Sequence, residues 1–148
     1  MDTNRIEKSV DLKSPQSRVW LAITDPTQFG QWFGVKFSGP FVVGKHVEGR
    51  MTYPGFEHLP FGIDVTAIDP PHRFAFTWHP YALDPAVDYS AETPTLVEFV
   101  LESLGTGTRV TVTESGFEHI PAHRRLEAFR MDEEGWAEQV VNLQKYVG

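Results

Sequence analysis

Residues 113–148 read TESGFEHIPAHRRLEAFRMDEEGWAEQVVNLQKYVG. A strand ends at Thr113, Glu114 and Ser115, Gly116 breaks it, and Pro121 opens a helix that runs almost to the end. Leu126, Phe129, Trp136, Val140, Leu143 and Val147 recur at spacings of three and four, with one gap. That period predicts a helix laid against a large apolar surface. Glu133 falls in the gap. Two readings stay open for it. Either the helix projects past the surface there and the carboxylate reaches water, or the helix closes a cavity and Glu133 stands on its inner wall.

The period upstream of the helix is two. Residues 108–115 put Val110, Val112 and Glu114 on one face, and 95–104 put Val97, Phe99 and Leu101 together, with Gly105, Thr106 and Gly107 as the hairpin turn between them. Residues 73–79 align Phe74, Phe76 and Trp78, and 61–68 align Phe61, Ile63, Val65 and Ala67 before Asp69-Pro70-Pro71. In 45–52, Val47 and Met51 face opposite to His46, Glu48 and Arg50; 35–37 is a further short strand. Residues 5–12 alternate too, with Ile6, Lys8, Val10 and Leu12 on one face and Lys8 as the anomaly. Ser14-Pro15 supplies an N-cap and a proline for a helix over 15–23. Asp25-Pro26 repeats the signal for a second helix over 27–32, ending near Gly34. The expected fold is α+β. It has a curved antiparallel sheet of about seven strands, two short helices after the first strand, and a long C-terminal helix. One helix cannot fill a wide concave sheet, so an internal cavity is expected beneath it.

Composition narrows the function. The 148 residues carry a formal net charge of −7, with an isoelectric point near 5.3. Nucleic acid and anionic membrane need a basic patch, so neither is an expected partner. Without cysteine there is no disulfide, thiolate nucleophile or cysteine-based zinc site. The start, MDTNRIEKSVDL, lacks an apolar signal core, and no run reaches transmembrane length. A single cytoplasmic domain over 1–148 is expected. The connection 80–94 is long, proline-bearing and acidic, with Asp84, Asp88 and Glu92. It reads equally as a lid or as a solvated insertion.

Candidate chemistry rests on a few side chains. Glu133, Glu114 and Lys8 are the charged residues on otherwise apolar faces. His119 and His123 are separated by four, but Pro121 precedes His123 and no third ligand is near, so no metal is expected. There is no nucleophile elbow, phosphate loop or dinucleotide fingerprint, and no cofactor is expected. The aromatic set is large, with 11 Phe, 4 Trp and 4 Tyr, enough for both a core and a pocket wall. Phe61, Phe76, Trp78, Phe99, Phe129 and Trp136 project toward the space between sheet and helix. With Glu114 and Glu133 they form the expected ligand-binding set. Trp78, near the long connection, and Trp136, beside Glu133, are the foremost candidates.

Several motifs occur in a familiar order. Pro15 with Val19-Trp20 and Thr24-Asp25-Pro26, then Trp32-Phe33, Leu96-Val97-Glu98-Phe99 and Gly107-Thr108-Arg109-Val110-Thr111 follow one another. Thr113-Glu114-Ser115-Gly116-Phe117 and Gly135-Trp136 complete the series. Over nearly its whole length the chain resembles the bacterial homologues of the activator of heat-shock protein 90 ATPase. These belong to the START and birch-pollen-allergen-like helix-grip superfamily. The resemblance implies the helix-grip fold with its cavity, first and last strands that are neighbours, and hence Lys8 and Glu114 as cross-strand partners. It also implies a stand-alone domain without the separate chaperone-binding domain of the eukaryotic co-chaperone. Three functions follow as expectations. The first is binding of a small hydrophobic molecule, aromatic, acyl or polyketide-like, in the cavity. The second is a stress-response module that acts on a chaperone. The third is a cyclase or dehydratase using Glu114 and Glu133 as an acid–base pair. A monomer or a homodimer would serve any of them.

Overall fold

A computed structural model describes residues 4–80, 82, 84 and 86–148. The element order is β1 (Arg5–Leu12), α1 (Gln16–Thr24), α2 (Pro26–Phe33), β2 (Val35–Phe37), β3 (His46–Met51), β4 (Pro60–Asp69), β5 (Arg73–Trp78), β6 (Thr95–Ser103), β7 (Thr108–Ser115) and α3 (Ala122–Val147). Two single-turn helices, Tyr89–Ala91 and Phe117–His119, punctuate the connections. The strands form one antiparallel sheet in the order β1-β7-β6-β5-β4-β3-β2. This is the α+β helix-grip architecture: a meander whose last strand returns beside the first, with α3 laid across the concave face.

The local chemistry explains most boundaries. Asp25 caps α2 by accepting from the Gln28 N–H at 3.0 Å, with Pro26 opening the helix. Gly34 ends it in the left-handed region at φ 93°, where a side chain would be strained and would also strike Tyr53. The start of α1 departs from expectation. Its N-cap is Pro15, and the Ser14 hydroxyl donates instead to the Val147 carbonyl. The Lys13 N–H adds a bond to the backbone oxygen of Gly148 at 2.7 Å. A residue suited to capping its own helix therefore anchors the far end of α3.

The register corrects a second expectation. Lys8 stands opposite Val112, and Glu114 stands between Ile6 on β1 and Val97 on β6. Pairing Lys8 with Glu114 would need a two-residue slip. That slip keeps every face but carries Ile6 onto Gly116, whose φ of 98° ends the strand, and Arg5 beyond it.

The core divides along the sheet. At one end, Phe29 of α2 lies among the rings of Trp32, Phe33, Phe37, Phe41, Phe76 and Phe99, with centroids 4.8–6.5 Å away. Trp32 donates its indole N–H to the Ala22 carbonyl at 2.8 Å, which locks α2 onto α1. Ala128, Phe129, Trp136 and Leu143 are the buried residues of α3. Leu126, expected on that face, is 51% exposed.

Candidate functional site

The site is assembled where one end of β5, β6 and β7 meets the middle of α3. Trp78 closes β5, Thr95 opens β6 directly opposite it, and Glu114 lies near the end of β7. Trp136 descends from α3. The four side chains converge. Glu114 is fully buried, and its carboxylate accepts the Trp78 indole N–H at 2.8 Å, the Thr95 hydroxyl at 2.5 Å and the Trp136 indole N–H at 2.9 Å. Indole nitrogens can only donate, so both tryptophans are oriented by this one acceptor. Their rings stack at 5.7 Å with 28° between planes.

The second acidic residue of the site is Asp132, one turn before Trp136. It is Asp132, and not Glu133, that α3 turns inward. Taking roughly 100° per residue, the four buried residues of α3 centre its face near the direction of Asp132. Including Leu126 in the stripe draws the centre toward Glu133, and Leu126 faces solvent. Asp132 and Glu133 are both half-buried, but Asp132 lines the cavity and Glu133 does not. The expected Glu114–Glu133 pair is therefore replaced by Glu114 and Asp132.

The Asp132 carboxyl is shifted toward its protonated form. Burial raises its carboxyl well above the usual range. The Glu114 charge and a hydrogen bond to Glu114 act in the same direction, and Arg124 opposes them weakly. The unfolded chain ionises the same group above about pH 4. Its contribution to stability is thus fully present below that pH and is lost as pH rises toward the folded value. Asp132→Asn offers Glu114 an amide N–H in place of the carboxyl proton and removes the titration. We expect it to be more stable than the parent at pH 7 but not at pH 3, measured by urea denaturation at both.

A cavity of about 890 Å³ opens beside this cluster. Its aromatic wall is Phe33, Phe61, Trp78 and Trp136, and Asp132, Gln139 and Met131 of α3 close one side. The hairpin after β3 contributes Phe56 and Leu59, and the connection after β5 contributes Val87, Asp88, Tyr89 and Ser90. Phe76, Phe99 and Phe129, expected in the ligand set, belong to the packed core and not to this wall; Glu114 sits behind the two indoles. The volume lies within the usual span of small-molecule sites.

The connection after β5 is tied down by Arg124 of α3. Its guanidinium meets Glu92 at 2.5 Å, donates to the Pro80 carbonyl at 2.8 Å and lies 4.8 Å over the Tyr89 ring. Residues 81, 83 and 85 of the expected lid lie outside the described residues. On the same side, His46 bridges Asp64 and Glu48, each at 3.0 Å. Partial burial works to lower its pKa, but the hydrogen bonds to Glu48 and Asp64 outweigh it and raise the group. Its ring lies over Gly62, where a Cβ would come within 2.7 Å. Among the described residues no group of His, Asp and Glu side chains is arranged to hold a metal ion. No helix among them is long and apolar enough to cross a membrane.

Sequence reasoning missed Asp132, because a step of three from Phe129 and a step of four fit the period equally. It also missed the Arg124–Glu92 anchor and the His46–Asp64 contact, whose partners are 32 and 18 residues apart and carry no local signal.

Known structures share this architecture. DynU16, a protein of the dynemicin biosynthetic locus, is 25% identical with a TM-score of 0.72. The match covers 97% of this chain but 46% of DynU16, so the chain spans about half that protein's length. A protein from Arthrobacter aurescens superposes with a TM-score of 0.79 at 20% identity, covering 99% of this chain and 88% of the other. The Aha1 dimer from Colwellia psychrerythraea gives a TM-score of 0.71 at 18% identity, covering 97% and 95%. At these identities the last two show the fold alone. No curated protein matches the chain. Residues 13–148 match the family described as Activator of Hsp90 ATPase homolog 1-like protein, and the chain belongs to that family.

Proposed function

We propose that this protein binds a small hydrophobic molecule, aromatic or polyketide-like, in the space between sheet and α3. The observation that carries the reading is the cavity of about 890 Å³, walled by Phe33, Phe61, Trp78 and Trp136. Such a wall supplies area and flat contact, and few polar groups fix orientation. The similarity to a protein of a biosynthetic locus supports a product-like ligand. A cyclase would need two carboxylates reaching the substrate. Of the expected acid–base pair, Glu114 is buried behind the two indoles and Glu133 is absent from the lining, which speaks against that pair as the catalytic groups.

The test is a melting-temperature screen against flavonoids, acyl chains and polyketides. A ligand at a hundred times its Kd should stabilise the fold by about 2.7 kcal/mol, a shift of several degrees. A flat response across the whole library would end this reading. The family description supports a second reading, a module acting on a chaperone ATPase. Mixed ATPase assays separate the two: stimulation without any ligand-induced shift favours the module.

A further inference from the structure

Glycine is the poorest helix former after proline, because it has the most backbone freedom to lose. Gly135 nevertheless stands in the interior of α3, which runs unbroken from Ala122 to Val147. Two structural needs usually fix a glycine, a left-handed backbone and a close approach by a neighbour. The second accounts for the glycines inside other elements. A Cβ would come within 2.0 Å of the Val35 carbonyl oxygen at Gly30, 2.9 Å of the Val35 side chain at Gly49 and 2.7 Å of the His46 ring at Gly62. Neither need applies at Gly135. Its backbone is not left-handed. Beyond its chain neighbours and the local helix backbone, a Cβ built on it has no heavy atom within 4 Å.

The empty space beside Gly135 belongs to the cavity, which Gly135 lines. Met131 and Asp132, four and three residues before it, and Gln139, four after it, line the same cavity. Residues at these spacings share one helix face. Gly135 is therefore a notch in that face, with larger side chains on either side. Across the cavity, Phe33 lies 6.0 Å from Phe61, 6.1 Å from Trp78 and 5.9 Å from Trp136 between centroids, so the four rings form one continuous surface. The volume of about 890 Å³ is near the top of the usual range for small-molecule sites. A bicyclic molecule has room on the ring surface without entering the notch. A molecule that reaches both is larger.

We propose that Gly135 is a specificity-determining residue, whose missing side chain admits extended, multi-ring ligands that lie against the bare backbone of α3. This rests on the cavity-binding reading and names the size class of its ligand. The glycine is a cost to the helix that the fold itself does not require, and the ligand supplies the missing contact.

The test compares N-phenyl-1-naphthylamine, a neutral three-ring molecule, with 2-naphthol on the intact chain, followed by quenching of tryptophan fluorescence. The parent should bind the larger molecule more tightly, since it buries more apolar area. Gly135→Leu should weaken that binding by roughly ten-fold or more, because the new side chain overfills the notch. Its affinity for 2-naphthol should stay nearly unchanged. Gly135→Ala should weaken the larger molecule in the same sense while raising the melting temperature by about 2–4 °C, since alanine suits the helix and meets no neighbour. Unchanged binding of N-phenyl-1-naphthylamine in both variants, or an equal loss for the two molecules, would overturn the inference while the cavity reading stands. A lower melting temperature for Gly135→Ala would overturn it too, by showing that the space is not free. If neither molecule binds the parent, the cavity reading falls and the inference with it. Should the Leu variant not fold, the Ala variant decides.

Discussion

Glu114→Ala is expected to lower stability by about 3–5 kcal/mol, since a buried donor left without its acceptor costs about 1–3 kcal/mol and three are stranded here. At this chain length that is a fall of roughly 10 °C in melting temperature. The donors are the Trp78 and Trp136 indoles and the Thr95 hydroxyl. The two tryptophans belong to the sheet and to α3, so one carboxylate stitches the two layers together at the cavity wall. Glu114→Gln should fall between parent and Ala, because it keeps one accepting oxygen but aims an NH₂ group at a donor. Urea denaturation followed by tryptophan fluorescence measures both. A loss below about 1 kcal/mol for the Ala variant would mean that water entering from the cavity satisfies the donors.

Phe29→Ala should cost a similar amount, about 3–5 kcal/mol, for a different reason. Phe29 is 1% exposed and touches six other rings, so its removal leaves a void that the aromatic cluster cannot close. Phe61→Ala is the contrast. Phe61 is partly buried, packs on the core from its edge and already faces the cavity. Its loss should cost less than about 2 kcal/mol, because no new enclosed void is created. Equal losses in the two variants would mean that the cavity wall is packed as tightly as the core. Chemical denaturation of both variants under one set of conditions gives the comparison.

The same contrast marks how far the amino-acid pattern reaches. Alternation in the seven strands, the Asp25-Pro26 cap and the amphipathic run after Pro121 each depend on neighbours within a few residues. They define the α+β helix-grip order directly, because period two and period 3.6 bury different faces. The motif series places the chain in its family for the same reason, being local and ordered. Glu114 is legible too, as a carboxylate on a clean apolar face.

Other features belong to the tertiary structure alone. Helical periodicity admits both Asp132 and Glu133, and only the packing of Ala128, Phe129, Trp136 and Leu143 against the sheet selects Asp132. Strand register separates Lys8 from Glu114, because Gly116 limits how far β1 can slide. The division of the aromatics into core and wall follows from where α2 inserts, and sequence spacing carries no record of that. The chain by itself therefore determined the layers, their order and the greasy faces. Which carboxylates meet, and whether a space remains beside them, was decided by long-range packing, where side-chain volume and hydrogen-bond geometry act between residues far apart in sequence.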